Sequence, residues 1–283
     1  MWISDLWSEY ELLDCSDGER LERWGEFTLI RPDPQVIWQT PKDHPGWKNA
    51  NAHYSRSDTG GGSWLTKNVP NRWQVKYFDL AFQVSLMNFK HTGLFPEQAV
   101  NWEYIKEKVS GASGDVSVLN LFAYTGGATL AAAAAGARVC HVDAARGMVA
   151  RARENAEDSG LADKPIRWII DDCGKFVQRE IRRGRKYDAI IMDPPSYGRG
   201  PSGEVWKLED DLYSFIKLCS ELLSDNPLFV LINSYTTGLS PSTLEYITQS
   251  ILGGRAQSGE LGIPVVSTGM CLPCGAACRW ETY

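Results

Sequence analysis

The chain is poor in histidine and in net positive charge, it has no cysteine framework, and no apolar run in it suits a bilayer. Among its 283 residues, 29 Lys and Arg face 35 Asp and Glu, a net charge of −6 with His neutral. A pI near 5.3 argues against tight binding of long nucleic acid through overall charge, so any such contact has to be a local patch. Seven cysteines are too few and too scattered for a disulfide framework at this size. His44, His53, His91 and His141 show no metal-ligand spacing. The one long uncharged stretch, 116–137, is rich in Ala and Gly and interrupted by polar residues, which is poor material for a membrane helix. The opening MWISDLWSEYELLD is acidic and aromatic, the opposite of a signal or transit peptide. With 43% hydrophobic and 23% charged residues, disorder, collagen-like repeats and coiled coil are also excluded. A soluble, cytoplasmic globular protein is the expectation, of one large domain or one ordinary domain with a small companion.

What is present changes character near residue 75. Before it the chain is rich in Trp, Pro, Gly and Asn. Short alternations such as Glu26–Ile30 and Gln35–Trp38 are separated by turn signals at Arg31–Pro34, Asp43–Gly46 and Thr59–Gly62. That pattern predicts a small β-rich domain over 1–75. The apolar positions Tyr77, Phe78, Phe82, Leu86 and Met87 predict a helix over about 75–87, and a second short helix follows over 99–109. From Val116 strands and helices alternate. Strands are expected at 116–122, 138–142, 166–170, 187–192 and 228–232, and helices at 128–135, 148–159, 175–183, 208–223 and 241–252. Such alternation implies a parallel sheet covered on both faces. The tail, 263–268 and 277–283, reads as a closing hairpin. The fold class is therefore α/β: over 76–283 a Rossmann-like, doubly wound, mostly parallel seven-stranded sheet with an antiparallel edge hairpin, next to the β-rich domain.

In sheets of this kind a ligand lies across the carboxyl ends of the strands, where the strand order reverses. Strand one ends in Asn120-Leu121-Phe122-Ala123-Tyr124-Thr125-Gly126-Gly127. This glycine turn lacks the G-x-G-x-x-G spacing that cradles a pyrophosphate. Strand two ends in Asp143, where a carboxylate can accept both hydroxyls of a ribose. Strand three ends in Asp172-Cys173, suited to an exocyclic amine and a ring nitrogen. Each feature alone has a plainer meaning as a turn or a helix cap. In order and at regular spacing they describe a site for an adenosine-bearing ligand without pyrophosphate, and S-adenosylmethionine fits. Strand four ends in Asp193-Pro194-Pro195-Ser196-Tyr197. Its prolines stiffen the turn and remove two N–H donors, leaving the Asp and the carbonyls as acceptors for a planar amine or base, with Tyr197 near enough to stack.

These motifs resemble those of class I S-adenosylmethionine-dependent methyltransferases. More narrowly, Thr92–Gln98, the DPPSYGRG segment with Gly203–Lys207, and Leu272–Gly275 resemble a bacterial group related to the 23S ribosomal RNA methyltransferases acting on cytosine C5 or guanine N7. The resemblance covers about residues 75–283. It implies that Phe95 and Gln98 line the cofactor pocket, and that Asn120, Phe122 and Gly126 pass beside the methionine part. Asp143 would hold the ribose, and Asp172 and Cys173 would frame the adenine. Asp193, Pro194, Pro195 and Tyr197 would form the catalytic turn, with Trp206 as a second ring flanking the acceptor. The implied cofactor is S-adenosyl-L-methionine and the implied partner an RNA base. A small-molecule or protein acceptor, or a non-catalytic cofactor- or RNA-binding protein, are the alternatives. Two departures stand out. Where the cytosine-C5 enzymes look to carry a Cys after strand five, this chain reads Ile232-Asn233-Ser234-Tyr235, and C5 chemistry needs such a thiolate. The N-terminal part also lacks an evident RNA-binding module of the kind expected in those relatives.

Three further clusters have plainer readings. Cys271-x-x-Cys274-x-x-x-Cys278 lacks the fourth ligand that zinc or an iron–sulfur cluster ordinarily requires, so packed thiols and no metal are expected. The Arg179–Lys186 run reads as a solvated helix end. Trp24, Trp38, Trp47, Trp64 and Trp73 serve either to stack bases or to build the core of a small β domain.

Overall fold

The computed structural model describes residues 1–57, 61–87, 90–199 and 205–282. Thr59 and Gly60 of the glycine turn, Gly200 of DPPSYGRG, Gly203, Glu204 and Tyr283 lie outside the described residues. Two compact units emerge: one holds Met1–Trp2, Asn101–Leu261 and Gly275–Tyr283, the other Ile3–Val100 and Gly262–Cys274. Residues 76–100 therefore group with the β-rich part and not with the α/β part.

The reason for that shift lies in the segment expected to be helical. After β1 (Trp2–Ile3), the strands β2 (Tyr10–Ser16), β3 (Glu19–Trp24), β4 (Phe27–Pro32), β5 (Ala52–Arg56) and β6 (Gly62–Thr66) follow, with the single-turn helix α1 (Gly46–Asn49) before β5. Strands β2 to β6 form a five-stranded sheet in sequence order. Residues 75–87 are not a helix but most of a hairpin, β7 (Trp73–Tyr77) and β8 (Leu80–Val84). Val75 and Tyr77 are buried while Gln74 and Lys76 are exposed, which is the period of two that decides for strand. Phe78 makes the turn at φ 51° without the glycine that ordinarily marks a hairpin. The hairpin belongs to this unit through the Trp73 indole, which donates to the Trp24 carbonyl, and the Lys76 N–H, which donates to Glu9.

A buried ion cluster sits inside the same unit. Glu22 is fully buried and accepts Arg31 Nε at 2.5 Å and Nη2 at 2.7 Å, and the Tyr10 hydroxyl at 2.8 Å. Burial pushes its carboxyl up, but Arg31 and Arg20 outweigh burial and hold it down at about 2.

The second unit follows the expected alternation closely. Its elements are α2 (Ala99–Ser110), β9 (Ser117–Leu121), α3 (Gly127–Ala134), β10 (Arg138–Asp143), α4 (Arg146–Asp158), β11 (Ile166–Ile170), α5 (Cys173–Arg182) and β12 (Ala189–Met192). An unforeseen ribbon, β13 (Tyr197–Arg199) paired with β14 (Val205–Lys207), comes next. Then follow α6 (Leu208–Ser220), β15 (Phe229–Ser234), α7 (Pro241–Leu252) and the hairpin β16 (Arg255–Pro264) and β17 (Cys271–Glu281). The sheet order is β1-β16-β17-β15-β12-β9-β10-β11, so Trp2–Ile3 makes eight strands of the expected seven. Strands β9, β10, β11, β12 and β15 pair in parallel, and β17 pairs antiparallel to β15.

Alternation along each strand divides the side chains between two faces. Leu119, Leu121, Val142, Ile190, Met192, Val230 and Ile232 pack with Phe176 of α5, Phe215 of α6 and Leu244 of α7. On the other face Asn120 donates to Thr129 Oγ1 at 2.9 Å, and that hydroxyl meets His141 Nδ1 at 2.9 Å. This histidine is held neutral, its pKa lowered to about 3 by burial and by Arg153. At the sheet edge, Arg167 of β11 bonds buried Glu180, which also accepts Arg183 and the Tyr187 hydroxyl. Arg153 lies over the Trp168 ring and Arg167 over Phe176.

The entry to α3 is tight. A Cβ on Gly126, whose φ is 90°, would meet Ala152 Cβ at 3.0 Å and Leu130 Cδ1 at 3.1 Å; one on Gly127 would meet the Trp102 ring at 2.5 Å. Gly127→Ala should therefore destabilise by about 1–3 kcal/mol through overpacking against a rigid ring, and Gly126→Ala comparably through its left-handed backbone. Urea denaturation of each variant measures this; wild-type midpoints would show that α2 and α4 yield freely. For the β-rich unit, a carboxyl depressed from 4.5 to about 2 contributes stability that is present above pH 4.5 and lost as pH falls toward 2. Glu22→Gln should remove that acid dependence and cost about 3 kcal/mol or more by leaving Arg31 buried without its partner, as read from denaturation midpoints between pH 7 and pH 3.

Candidate active site

The strand order reverses between β9 and β12, and the turns after β9, β10, β11 and β12 meet beyond the carboxyl ends of these strands. The turn after β9 has an unusual backbone. Phe122, Tyr124 and Gly126 all lie in the left-handed region, at φ 54°, 50° and 90°. For the two aromatic residues this conformation costs roughly 1–2 kcal/mol each, and it is held by specific bonds. Asp143 Oδ2 accepts the Tyr124 N–H at 2.8 Å, while Oδ1 accepts the Ala145 N–H at 2.8 Å. Cys173 Sγ accepts the Phe122 N–H at 3.3 Å. Burial raises the Asp143 carboxyl above its ordinary 3.8, with the two N–H bonds opposing.

The structure thus brings Phe122, Gly126, Asp143, Asp172 and Cys173 into one group of turns. Asp172 is the N-cap of α5 and accepts the Lys175 N–H at 2.8 Å. Cys173 opens that helix, where the first backbone N–H groups have no intrahelical partner. Its thiol is buried, and burial pushes its pKa well up. Asn120 lies within β9, and its amide N–H is engaged with Thr129 of α3. Phe95 and Gln98 belong to the other compact unit. There Phe95 lies 5.8 Å from the His91 ring, and Gln98 ends the 3-10 turn Pro96–Gln98 in a buried position.

The turn after β12 is joined to the turn after β9 by the Asp193 N–H, which donates to the Leu121 carbonyl at 3.4 Å. Pro194 is buried, whereas Pro195, Ser196 and Tyr197 are exposed. The Trp206 indole N–H donates to the Pro195 carbonyl at 2.6 Å, and the Leu208 N–H donates to the Ser196 carbonyl at 3.0 Å. The Thr236 hydroxyl donates to Ser196 Oγ at 2.7 Å. Trp206, expected as a ring flanking the acceptor, instead packs inward against Phe122 at 5.7 Å and Phe215 at 5.4 Å. No hydrogen bond reaches the Pro194 carbonyl among the described residues. Neither the bond from Trp206 nor the bridge from Thr236 has a local signature in the sequence.

The donor set fits an adenosine-bearing methyl donor and not a dinucleotide. Cβ atoms on Gly126 and Gly127 would strike protein side chains, so these glycines serve the left-handed turn and helix packing. Asp143 and Asp172 present carboxylate acceptors and the start of α5 presents amide donors, a set chemically complementary to a diol and a purine edge. Among the described residues no three His, Cys, Asp or Glu side chains group as metal ligands, and no helix is long and apolar enough to cross a membrane.

Comparison with known proteins agrees with that chemistry. A solved SAM-dependent methyltransferase from Agrobacterium tumefaciens is 37% identical, with a TM-score of 0.94 over 99% of this chain and 93% of that one. A methyltransferase solved in complex with SAH, SMU.776, shares the fold at 20% identity, with a TM-score of 0.74 over 97% of this chain and 76% of that one. Among curated proteins, the ribosomal RNA large subunit methyltransferase K/L of Shewanella frigidimarina is 30% identical over 155 residues, 54% of this chain and 21% of that protein. Its counterpart from Shewanella loihica is 35% identical over 117 residues, 41% and 16% respectively. The chain thus spans about a fifth of the length of the curated relatives it matches. The family model described as S-adenosylmethionine-dependent methyltransferase matches residues 42–245, and the chain belongs to that family.

Proposed function

We propose that this enzyme methylates a nitrogen of a base in RNA, held at the Asp193–Tyr197 turn. The observation that carries the reading is the acceptor character of that turn. Two prolines remove its N–H donors, the Asp193 N–H ties it to β9, and the Pro194 carbonyl has no partner among the described residues. A planar group bearing N–H donors is the natural complement of a carboxylate beside an unpaired carbonyl. Exposed Tyr197 supplies a ring for stacking. The RNA class is supported by the names of the curated relatives, the nitrogen by the state of the cysteines. Asn233 and Ser234 end β15 where a C5 enzyme would need its thiolate. Cys173, the cysteine nearest the turns, is buried with its pKa raised by burial, the reverse of an activated nucleophile.

When bound, S-adenosylmethionine supplies an electrophilic methyl group. On this reading Asp143 takes the ribose hydroxyls, and Asp172 and the Cys173 N–H meet the adenine. Asn120, Phe122 and Gly126 make the rest of the cofactor site within this unit. Asp193 and the carbonyl of Pro194 accept N–H bonds from the base and aim its nitrogen lone pair along the line of displacement; Pro195 and Tyr197 complete the turn. Such positioning is the enzyme's main contribution to a displacement that needs no covalent intermediate.

Labelled methyl groups from S-adenosylmethionine should appear in the RNA fraction of a cell extract; label in protein or in small metabolites instead would overturn the RNA reading. Asp143→Ala should weaken cofactor binding by about tenfold to a hundredfold, since charge-assisted bonds contribute about 1.5–3 kcal/mol, and calorimetry reads this directly. Asp193→Ala should bind cofactor normally and lose turnover, because an orienting group acts in the transition state. A covalent adduct between any cysteine of the chain and RNA containing 5-fluorocytosine would reject the nitrogen acceptor.

A further inference from the structure

We infer that Trp206 is a positioning residue for methyl transfer: it holds the acceptor turn in place without touching the substrate. The inference rests on the assignment of Asp193–Tyr197 as the acceptor site. A turn with prolines at 194 and 195 has few N–H groups of its own with which to brace itself. Its carbonyls depend on donors from elsewhere, and the shortest such bond is the Trp206 indole N–H to the Pro195 carbonyl, at 2.6 Å. The indole itself is fixed on two sides. It lies 5.7 Å from the Phe122 ring and 5.4 Å from the Phe215 ring, the latter nearly edge-on at 84°. It projects from β14 opposite Gly198, on the ribbon that leaves the turn.

Phe122 ties this arrangement to the other half of the site. It occupies the first left-handed position of the turn after β9, with its N–H bound to Cys173 Sγ. The Trp206 side chain thus touches the cofactor-side turn through its ring, against Phe122, and the acceptor-side turn through its indole N–H. Fixing the Pro195 carbonyl fixes the Pro195–Ser196 peptide, and the rigid proline rings carry that constraint back to the Asp193 and Pro194 acceptors. Misplacement of about 1 Å between reacting groups can lower a rate roughly a hundredfold, so a single directional bond at this point has leverage on turnover that a packing contact lacks.

The test separates the N–H from the ring. Trp206→Phe keeps an aromatic between Phe122 and Phe215 and removes only the donor. It should lower kcat tenfold or more, leave the KM for S-adenosylmethionine within twofold, and leave the melting temperature nearly unchanged. Hydrogen exchange of the Ser196 and Tyr197 amides should quicken, while exchange over 122–145 stays as in the wild type. Phe215→Leu keeps the indole bond; it should lower the melting temperature yet retain kcat below that temperature. Wild-type kcat together with wild-type exchange in Trp206→Phe would overturn the inference, as would a kcat loss matched by an equal loss of cofactor affinity. If the wild-type protein transfers no methyl group to RNA, the acceptor reading fails by itself. The exchange of Ser196 and Tyr197 in Trp206→Phe still decides whether Trp206 holds the turn.

Discussion

The carboxylate of Asp143 is the constraint around which the ligand end of the sheet is organised. Its two oxygens bind the N–H groups of Tyr124 and Ala145, one in the turn after β9 and one at the entry to α4. Without those bonds there is little to keep two aromatic residues at positive φ. With them, the β9 turn is folded tightly enough to bring Phe122 over Trp206 and Phe215. The arrangement explains how a turn with only one glycine among its three left-handed positions does the work usually given to a glycine-rich loop. Strain is placed where the ligand end needs a fixed shape, and the bonds to a half-buried carboxylate offset it.

The two sides of the strand-order reversal are stiffened by different means. On the β9 side the backbone is held by side-chain acceptors, the Asp143 carboxylate and the Cys173 sulfur. On the β12 side prolines have removed the donors, and the turn is held by donors brought from outside it: an indole, the Leu208 N–H and the Thr236 hydroxyl. Each side leaves acceptor capacity for a ligand: the Asp143 carboxylate beyond its two N–H bonds, and the Pro194 carbonyl, which has no hydrogen bond among the described residues.

Much of this was legible in the chain. Within the α/β part, the strands β9 to β12 and β15 and the helices between them fall within a few residues of their expected places, because apolar runs alternate there with strong helix formers. The acids at the strand ends were legible for the same reason: a polar residue closing an apolar run marks the carboxyl end of a strand. What failed were contests between periods. Tyr77, Phe78 and Phe82 suit a helix as well as a strand, and the hairpin was decided by packing on Trp24 and Glu9, which no local pattern encodes. The inward turn of Trp206 depends on Phe122, far away in sequence, and on Phe215 in the helix that follows. The commitment of the Asn120 amide to Thr129 and His141 is likewise a tertiary matter, since Asn120 reads from sequence as one more polar residue near a ligand.

The edge strand β11 carries a consequence of its own. It ends the sheet, with Ile170 among the exposed large apolar residues, and an open edge of this kind is a template for pairing with another chain. Here Arg153 and Arg167 lie across Trp168 and Phe176, and Arg167 is anchored by buried Glu180. Charged side chains beside an edge strand are one means of discouraging such pairing, and here two of them are held in place by their rings and by Glu180.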